Sequence, residues 1–155
     1  MTGVQTCALP IWRRRAAQDL DRFFTLAPDL LCIAGFDGYF KRINAAWERT
    51  LGVPLDRLLA EPFANFIHPC DLTATKRVVD DQRAGNGVWS FENRYRAGDG
   101  SYRWLRWNSL PAPERELIFA VARDVTAAKA AADQRVRNNP VERGNRLPTM
   151  SVLLL

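Results

Sequence analysis

His68 is the only histidine of the chain, and with Cys7, Cys32 and Cys70 it makes up the whole supply of soft metal ligands. An imidazole can hold haem iron axially, and imidazole with thiolates can hold zinc. The spacing argues against both. The three cysteines form no C-x-x-C pair, and His68 stands directly before Pro69, where it serves a helix start or packs a connector rather than a cofactor. Cys70, in His68-Pro69-Cys70-Asp71, reads as a buried or half-buried thiol, and Cys32, in an apolar run, as core. Arg94 and Arg106 could grip a carboxylate or phosphate through their planar forks if turned inward, but their alternation fits a solvent or dimer surface equally well. Paired carboxylates, a nucleophile beside a base and a phosphate-cradling glycine loop do not form convincing constellations. The residues therefore ask for no cofactor, and a binding role is expected rather than an enzyme.

The elements that must position these residues follow from periodicity. From Ala16 to Leu26, Leu20, Phe23, Phe24 and Leu26 fall largely on one helical face, which predicts an amphipathic helix over residues 13–27 stopped by Pro28 and Asp29. Leu30 to Ala34 reads as a short buried strand, Asp37-Gly38 as a hairpin turn, and Tyr39 to Ile43 as the returning strand. Asn44 can cap a short helix ending at Gly52, and Pro54 can open another that Glu61-Pro62 breaks. Phe63, Phe66 and Ile67 form an apolar connector. A fourth helix starts at Pro69, with Asp71 near its positive end, and runs to Ala84.

Val88 to Arg96 alternates, with Trp89, Phe91, Asn93 and Tyr95 on one side and Ser90, Glu92, Arg94 and Arg96 on the other. Gly98-Asp99-Gly100 turns the chain into a strand over Ser101 to Leu110. Leu117 to Val125 is nearly all apolar, as a central strand covered on both faces would be, and Thr126 then caps an alanine-rich helix over residues 127–137. Internal helices can cover one face of the sheet. The N-terminal helix or a partner subunit must cover the other.

Length and charge bound the function. The 155 residues suit one domain, with 47% hydrophobic and 25% charged residues. The net charge of +5 is concentrated at the ends: Arg13, Arg14 and Arg15 in front, four arginines against Asp133 and Glu142 behind, and fifteen basic against fifteen acidic residues from Ala16 to Ala132. A neutral body gives no nucleic-acid face. No run approaches the 18 to 20 apolar residues of a bilayer span, and unpaired cysteines fit a cytoplasmic setting. Residues 1–12 read as an artefactual or disordered leader that looks like translated sequencing adapter. Residues 138–155, broken by Asn138-Asn139-Pro140, read as a disordered or frame-shifted tail with no room for a coiled coil.

The stretches FFTLAPDLLCIAGFDGYFKRIN, NAAWERTLG, FANFIHPCD, FENRYRAGDGSYRWLRWNS and ARDVT, in this order and spacing, resemble PAS domains with a C-terminal PAC motif, of the kind found in sensor histidine kinases and diguanylate cyclases. The resemblance runs from about Leu20 to Lys129. It implies an α+β PAS fold with a core over residues 28–126: a five-stranded antiparallel sheet of order 2-1-5-4-3, short helices closing a cavity on one face, and a C-terminal output helix. It implies a relay junction at Arg123, Asp124 and Thr126, and an effector domain elsewhere in a parent protein. A small-molecule ligand in the cavity and a homodimer through the N-terminal helix and sheet face are the partners it allows. Trp47, Phe63, Phe66, Ile67, Val79, Trp89, Phe91, Tyr95 and Trp104 are the candidates to line or fill that cavity. Some relatives bind haem through a helix histidine, but the place of His68 argues against it. The flavin-binding light sensors of this fold carry an Asn-Cys-Arg-Phe-Leu-Gln motif that nothing here matches, so no adduct at Cys70 is expected.

Overall fold

The computed structural model describes residues 10–139. The predicted leader and tail fall mainly on residues 1–9 and 140–155, with Cys7, outside the described residues. Chain contacts divide the molecule at the end of its last strand, with one unit up to Asp124 and a second from Val125.

The first unit opens with helix α1 (Ile11–Leu26), whose first carbonyl, on Pro10, accepts from the amides of Arg13 and Arg14. Ile11 and Trp12 thus lie within the helix. Proline suits this place because it cannot donate within a first turn anyway. Strands β1 (Leu30–Gly35) and β2 (Phe40–Ile43) form the predicted hairpin, with Gly38 at φ 89° in the turn. Helices α2 (Ala46–Leu51) and α3 (Leu55–Ala60), two 3-10 turns (Phe63–Phe66 and Pro69–Asp71) and α4 (Leu72–Arg83) follow. Strands β3 (Val88–Arg96), β4 (Tyr102–Ala112) and β5 (Leu117–Asp124) complete an antiparallel sheet of order β2-β1-β5-β4-β3. β5, apolar from Leu117 to Ala122, therefore sits in the middle.

One short-range reading is corrected. Asn44 does not cap α2, whose N-cap is Ala45. Its side chain turns back instead: Oδ1 accepts from the Leu31 amide at 3.0 Å, and Nδ2 donates to the carbonyls of Phe24 and Asp29, both at 3.0 Å, and of Ala27 at 3.5 Å. An asparagine offers an acceptor and two donors, so one buried side chain staples the end of α1, the connector and the start of β1. Asp71 stands at the start of α4, as expected, yet makes no side-chain cap bond to the helix. Its carboxylate accepts three bonds from Arg94, at the backbone amide and Nε (both 2.9 Å) and at Nη2 (2.8 Å). With the His68 amide donating to the Arg94 carbonyl at 2.9 Å, and Ile67 bridging Tyr95, the open edge of β3 is covered.

Gly52 ends α2 at φ 64°, as expected of a left-handed stop. Gly98 has a different role. Its amide donates to the Leu51 carbonyl at 2.7 Å, and a Cβ there would lie 2.4 Å from the Gly52 carbonyl oxygen. Only a glycine lets the β3–β4 hairpin dock on the end of α2. The second unit begins with α5 (Thr126–Asn138), whose N-cap is Val125, so Thr126 is its first helical residue rather than its cap.

Candidate functional site

The inner face of the sheet carries alternate residues of each strand, and the short helices close over them. Cys32 and Ala34 from β1, Phe40 from β2, Trp107 and Ser109 from β4 and Ile118 and Ala120 from β5 form the floor of a cavity of about 70 Å³. Thr75, Val78, Val79 and Gln82 of α4 form its roof, and Val88, Phe91, Asn93 and Tyr95 of β3, with Phe63, its walls. Behind one wall stands an aromatic cluster. Trp47 lies 4.8 Å from Phe40 and 5.8 Å from both Tyr95 and Trp107, centroid to centroid and tilted or edge-on, the arrangement ring quadrupoles favour.

Of the residues singled out from the sequence, Phe63, Val79, Phe91 and Tyr95 line this space. Trp47, Phe66 and Ile67 are buried in the core around it rather than facing it. Trp104 lies beyond it, under the Arg94 guanidinium at 4.9 Å. Trp89 is 68% exposed. The reason is a β-bulge that alternation cannot reveal. Val88 pairs with Ser109 and Phe91 with Trp107, so Trp89 and Ser90 together oppose Asn108 alone. Ser90 takes φ 57° and its amide donates to Asn108 Oδ1 at 2.9 Å. The extra residue shifts the side-chain phase by one, which turns Val88 inward and Trp89 out.

Sequence reading also missed the polar part of the lining. Trp107 Nε1 donates to Asn93 Oδ1 at 2.7 Å, Asn93 Nδ2 to Thr75 Oγ1 at 3.1 Å, and Thr75 Oγ1 to the Asp71 carbonyl at 2.8 Å. Separately, Gln82 Nε2 donates to Ser109 Oγ, joining α4 to β4. Gln82, Asn93 and Ser109 are all buried. The available signal was position, since Asn93 shares the inward stripe of Phe91 and Tyr95.

The electrostatics of the cavity are those of a neutral space. Burial pushes the Cys32 thiol up to about 12 and the Tyr95 phenol well above its ordinary value, so both stay protonated at neutral pH. Arg94 and Arg106 face away from the cavity and hold carboxylates, Arg94 on Asp71 and Arg106 Nε on Glu92 Oε1 at 2.9 Å. His68 Nδ1 accepts from the Cys70 amide at 3.1 Å and its ring packs on Tyr102 at 4.6 Å, away from the lining, and Cys70 is exposed. Among the described residues no three His, Cys, Asp or Glu side chains cluster as a metal site, and no helix is long and apolar enough to cross a membrane. Within the first unit, Arg123 binds the Asp29 carboxylate through Nε at 3.1 Å and Nη2 at 2.9 Å, tying the end of β5 to the connector after α1.

Comparison with known proteins agrees with this architecture. A domain of a sensory box sensor histidine kinase/response regulator from Geobacter sulfurreducens superposes with a TM-score of 0.63 at 18% identity, over 72% of this chain and 96% of that one. The PAS domain of an HTR-like protein from Haloarcula marismortui gives 0.63 at 22% identity, over 73% and 94%. A PAS domain from Colwellia psychrerythraea gives 0.64 at 19% identity, over 72% and 98%. No curated protein matches the chain. The profile described as the PAS fold matches residues 40–118, just over half of the sequence. With the sheet order, the roofing helices and this match in agreement, the chain belongs to the PAS family.

Proposed function

We propose that this PAS domain is a sensory relay module of a signal-transduction protein, coupling the state of its cavity to self-association and to the helix that follows β5. One observation carries the reading: β5 serves both sides of the sheet. Ile118 and Ala120 face the cavity, whereas Phe119 and Val121, 38% and 41% exposed, face outward. A displacement of β5 on one side is therefore a displacement on the other. After Asp124 the chain passes through Val125 alone into α5, so Arg123, Asp124 and Thr126 are the residues through which a shift would leave the sheet.

The partner proposed for the outer face is a second copy. The α1 side chains Leu20, Phe23 and Leu26 are largely exposed, and Leu110 extends the apolar outer patch of Phe119 and Val121. A two-fold contact can place the helix of each protomer on the sheet of the other and cover both surfaces at once. Two of the similar structures are named as parts of sensor histidine kinases, which supports a histidine kinase, rather than the cyclic-dinucleotide enzyme, as the effector elsewhere in a parent protein. A cytoplasmic setting suits the buried free thiol of Cys32.

Sedimentation equilibrium tests the coupling. Ala120→Val adds two methyl groups on the cavity side only, and is expected to change the monomer–dimer constant severalfold while the protein stays folded. A folded Ala120→Val protein with unchanged association and unchanged amide exchange along β5 would refute it.

A further inference from the structure

Beyond the relay role, we infer that the protein carries a separate binding site: an open cleft at one end of the sheet that takes the oxyanion head, carboxylate or phosphate, of a small organic molecule between Arg83 and Arg115. The cleft measures about 410 Å³, within the size range of small-molecule sites. Three segments far apart in sequence meet there. The β1–β2 hairpin brings Gly35, Asp37 and Lys41, the end of α4 brings Arg83, and the connection from β4 to β5 brings Arg115 and Glu116. The cleft shares no lining residue with the inner cavity.

Charge sets the class of guest. In the lining Lys41, Arg83 and Arg115 stand against Asp37 and Glu116, which leaves positive charge in excess. Asp37 is already served: Lys41 Nζ donates to Oδ2 at 2.5 Å and the Tyr39 amide to Oδ1 at 3.2 Å, and the Lys41 bond above all holds this carboxyl below its ordinary value. A Cβ on Gly35 would lie 2.4 Å from Asp37 Oδ1 and 2.7 Å from Lys41 Cε, so glycine there lets the pair fold against the hairpin. The Asp37 charge is thus met by Lys41 rather than by the arginines.

The two arginines keep donors in hand. Arg83 Nη2 donates to the Phe36 carbonyl at 2.5 Å, its guanidinium lies 5.2 Å from the centre of the Phe36 ring, and its Nε stands 3.9 Å from Asp80. These contacts hold the fork in place and leave further N–H groups for a guest. Arg115 has no hydrogen bond or ion pair among the described residues and lies over the Phe119 ring at 5.6 Å. Glu116, the remaining carboxylate of the lining, pairs with neither arginine. Planar forks match the oxygens of a carboxylate or phosphate two at a time, which gives such a head directional bonds as well as charge. Arg83 directly follows Gln82, which holds Ser109, so an anion gripped by Arg83 rests on the same turn of α4 that roofs the cavity.

The experiment uses the full chain at low ionic strength, where exposed charges are least screened. It is titrated with benzoate, phenyl phosphate and their uncharged counterpart benzamide, and read by the amide shifts of Gly35, Phe36 and Glu116. The anions are expected to move these amides and benzamide to leave them in place, and the tighter of the two anions identifies the head. Arg115→Gln, at an exposed side chain with no bond to lose, should weaken anion binding about tenfold or more, the factor one charge-assisted hydrogen bond supplies. Glu116→Gln should tighten it about two- to fivefold, as removal of one exposed opposing charge does, a gain that an unfolded variant cannot give. Arg77→Gln, at an exposed arginine of α4 outside the cleft, should change nothing. Benzamide binding as tightly as the anions, equal losses in Arg115→Gln and Arg77→Gln, or no shift of these amides with any probe in protein shown folded by its spectrum would each overturn the inference.

Discussion

Each face of the sheet carries a minority of side chains that run against the usual distribution of polarity. On the inner face, asparagine, glutamine and serine side chains are buried among Trp47, Leu105 and Trp107. On the outer face, Leu110, Phe119 and Val121 meet solvent, Leu110 at 56% exposure. The difference teaches that in this fold polarity follows task rather than depth. The inner polar groups satisfy one another and set one arrangement of α4 over β3 and β4, which an all-apolar wall would leave loosely specified. The outer apolar groups are interchangeable contact area of the kind the proposed second copy would cover.

Truncation gives the sharpest contrast between the faces. Trp47→Ala removes a fully buried ring and its Nε1 bond to the Leu31 carbonyl at 3.0 Å, and is expected to cost about 3–5 kcal/mol in urea unfolding. Phe119→Ala on the outer face should cost under about 1 kcal/mol to the monomer. Equal losses would mean that the outer face is already packed within one chain.

The Asn44 staple comes next. Asn44→Ala is expected to cost about 2–3 kcal/mol, because the Leu31 amide and the carbonyls it serves lose partners in a part-buried setting. Hydrogen exchange should rise at Leu31 before it rises in β4. A loss below about 0.5 kcal/mol would show that water replaces the side chain freely.

Association should respond in the opposite sense. Phe119→Glu or Val121→Glu is expected to weaken self-association at least about tenfold, since a carboxylate would be buried at the contact, with little change in monomer unfolding. Sedimentation equilibrium and urea titration on the same variants check both halves.

Acid provides a graded test at the edge of β3. Arg94 beside Asp71 holds that carboxyl below its ordinary value. A depressed folded pKa means the stabilisation is whole above the unfolded value, about 3.9, and is lost as pH falls through the lower folded value. Unfolding free energy should therefore decline from about pH 4 downward, and Asp71→Asn should flatten the decline. Asp99→Asn, on the exposed hairpin where Ser101 lowers the carboxyl, should flatten it less.

The smallest effect belongs to the bulge. Ser90 at φ 57° is in a region glycine enters freely, so Ser90→Gly is expected to stabilise by about 0.5 kcal/mol, against a loss for glycine at an ordinary strand position such as Glu92.

Much of this architecture was legible in the chain, for reasons visible at particular residues. Asp37-Gly38 and Gly98-Asp99-Gly100 mark turns because few residues tolerate the backbone they require. The run Leu117 to Val125 announced a central strand, and β5 does lie in the middle of the sheet, although Phe119 and Val121 on its outer face meet solvent. What was not legible depends on choices between equivalent partners. Asn44 and Asp71 suit helix caps by type, and only the tertiary fold decides that one turns back to α1 and the other across to Arg94. The bulge hides for a related reason, since Trp89 and Val88 are both apolar and either could have faced inward. Gln82 and Ser109 are polar residues that composition assigns to the surface, and only their mutual bond makes burial tolerable.

The side chain of Asn44 has a mechanical consequence. It is a single knot tying the last turn of one rod, the linker and the rim of the sheet, so a tug or twist on α1 reaches β1 without slack. Beside it, the Arg123 grip on Asp29 fastens the outgoing end of β5 to the same linker. Incoming and outgoing segments thus share one anchorage, the connector at Asp29, which lies outside the cavity lining.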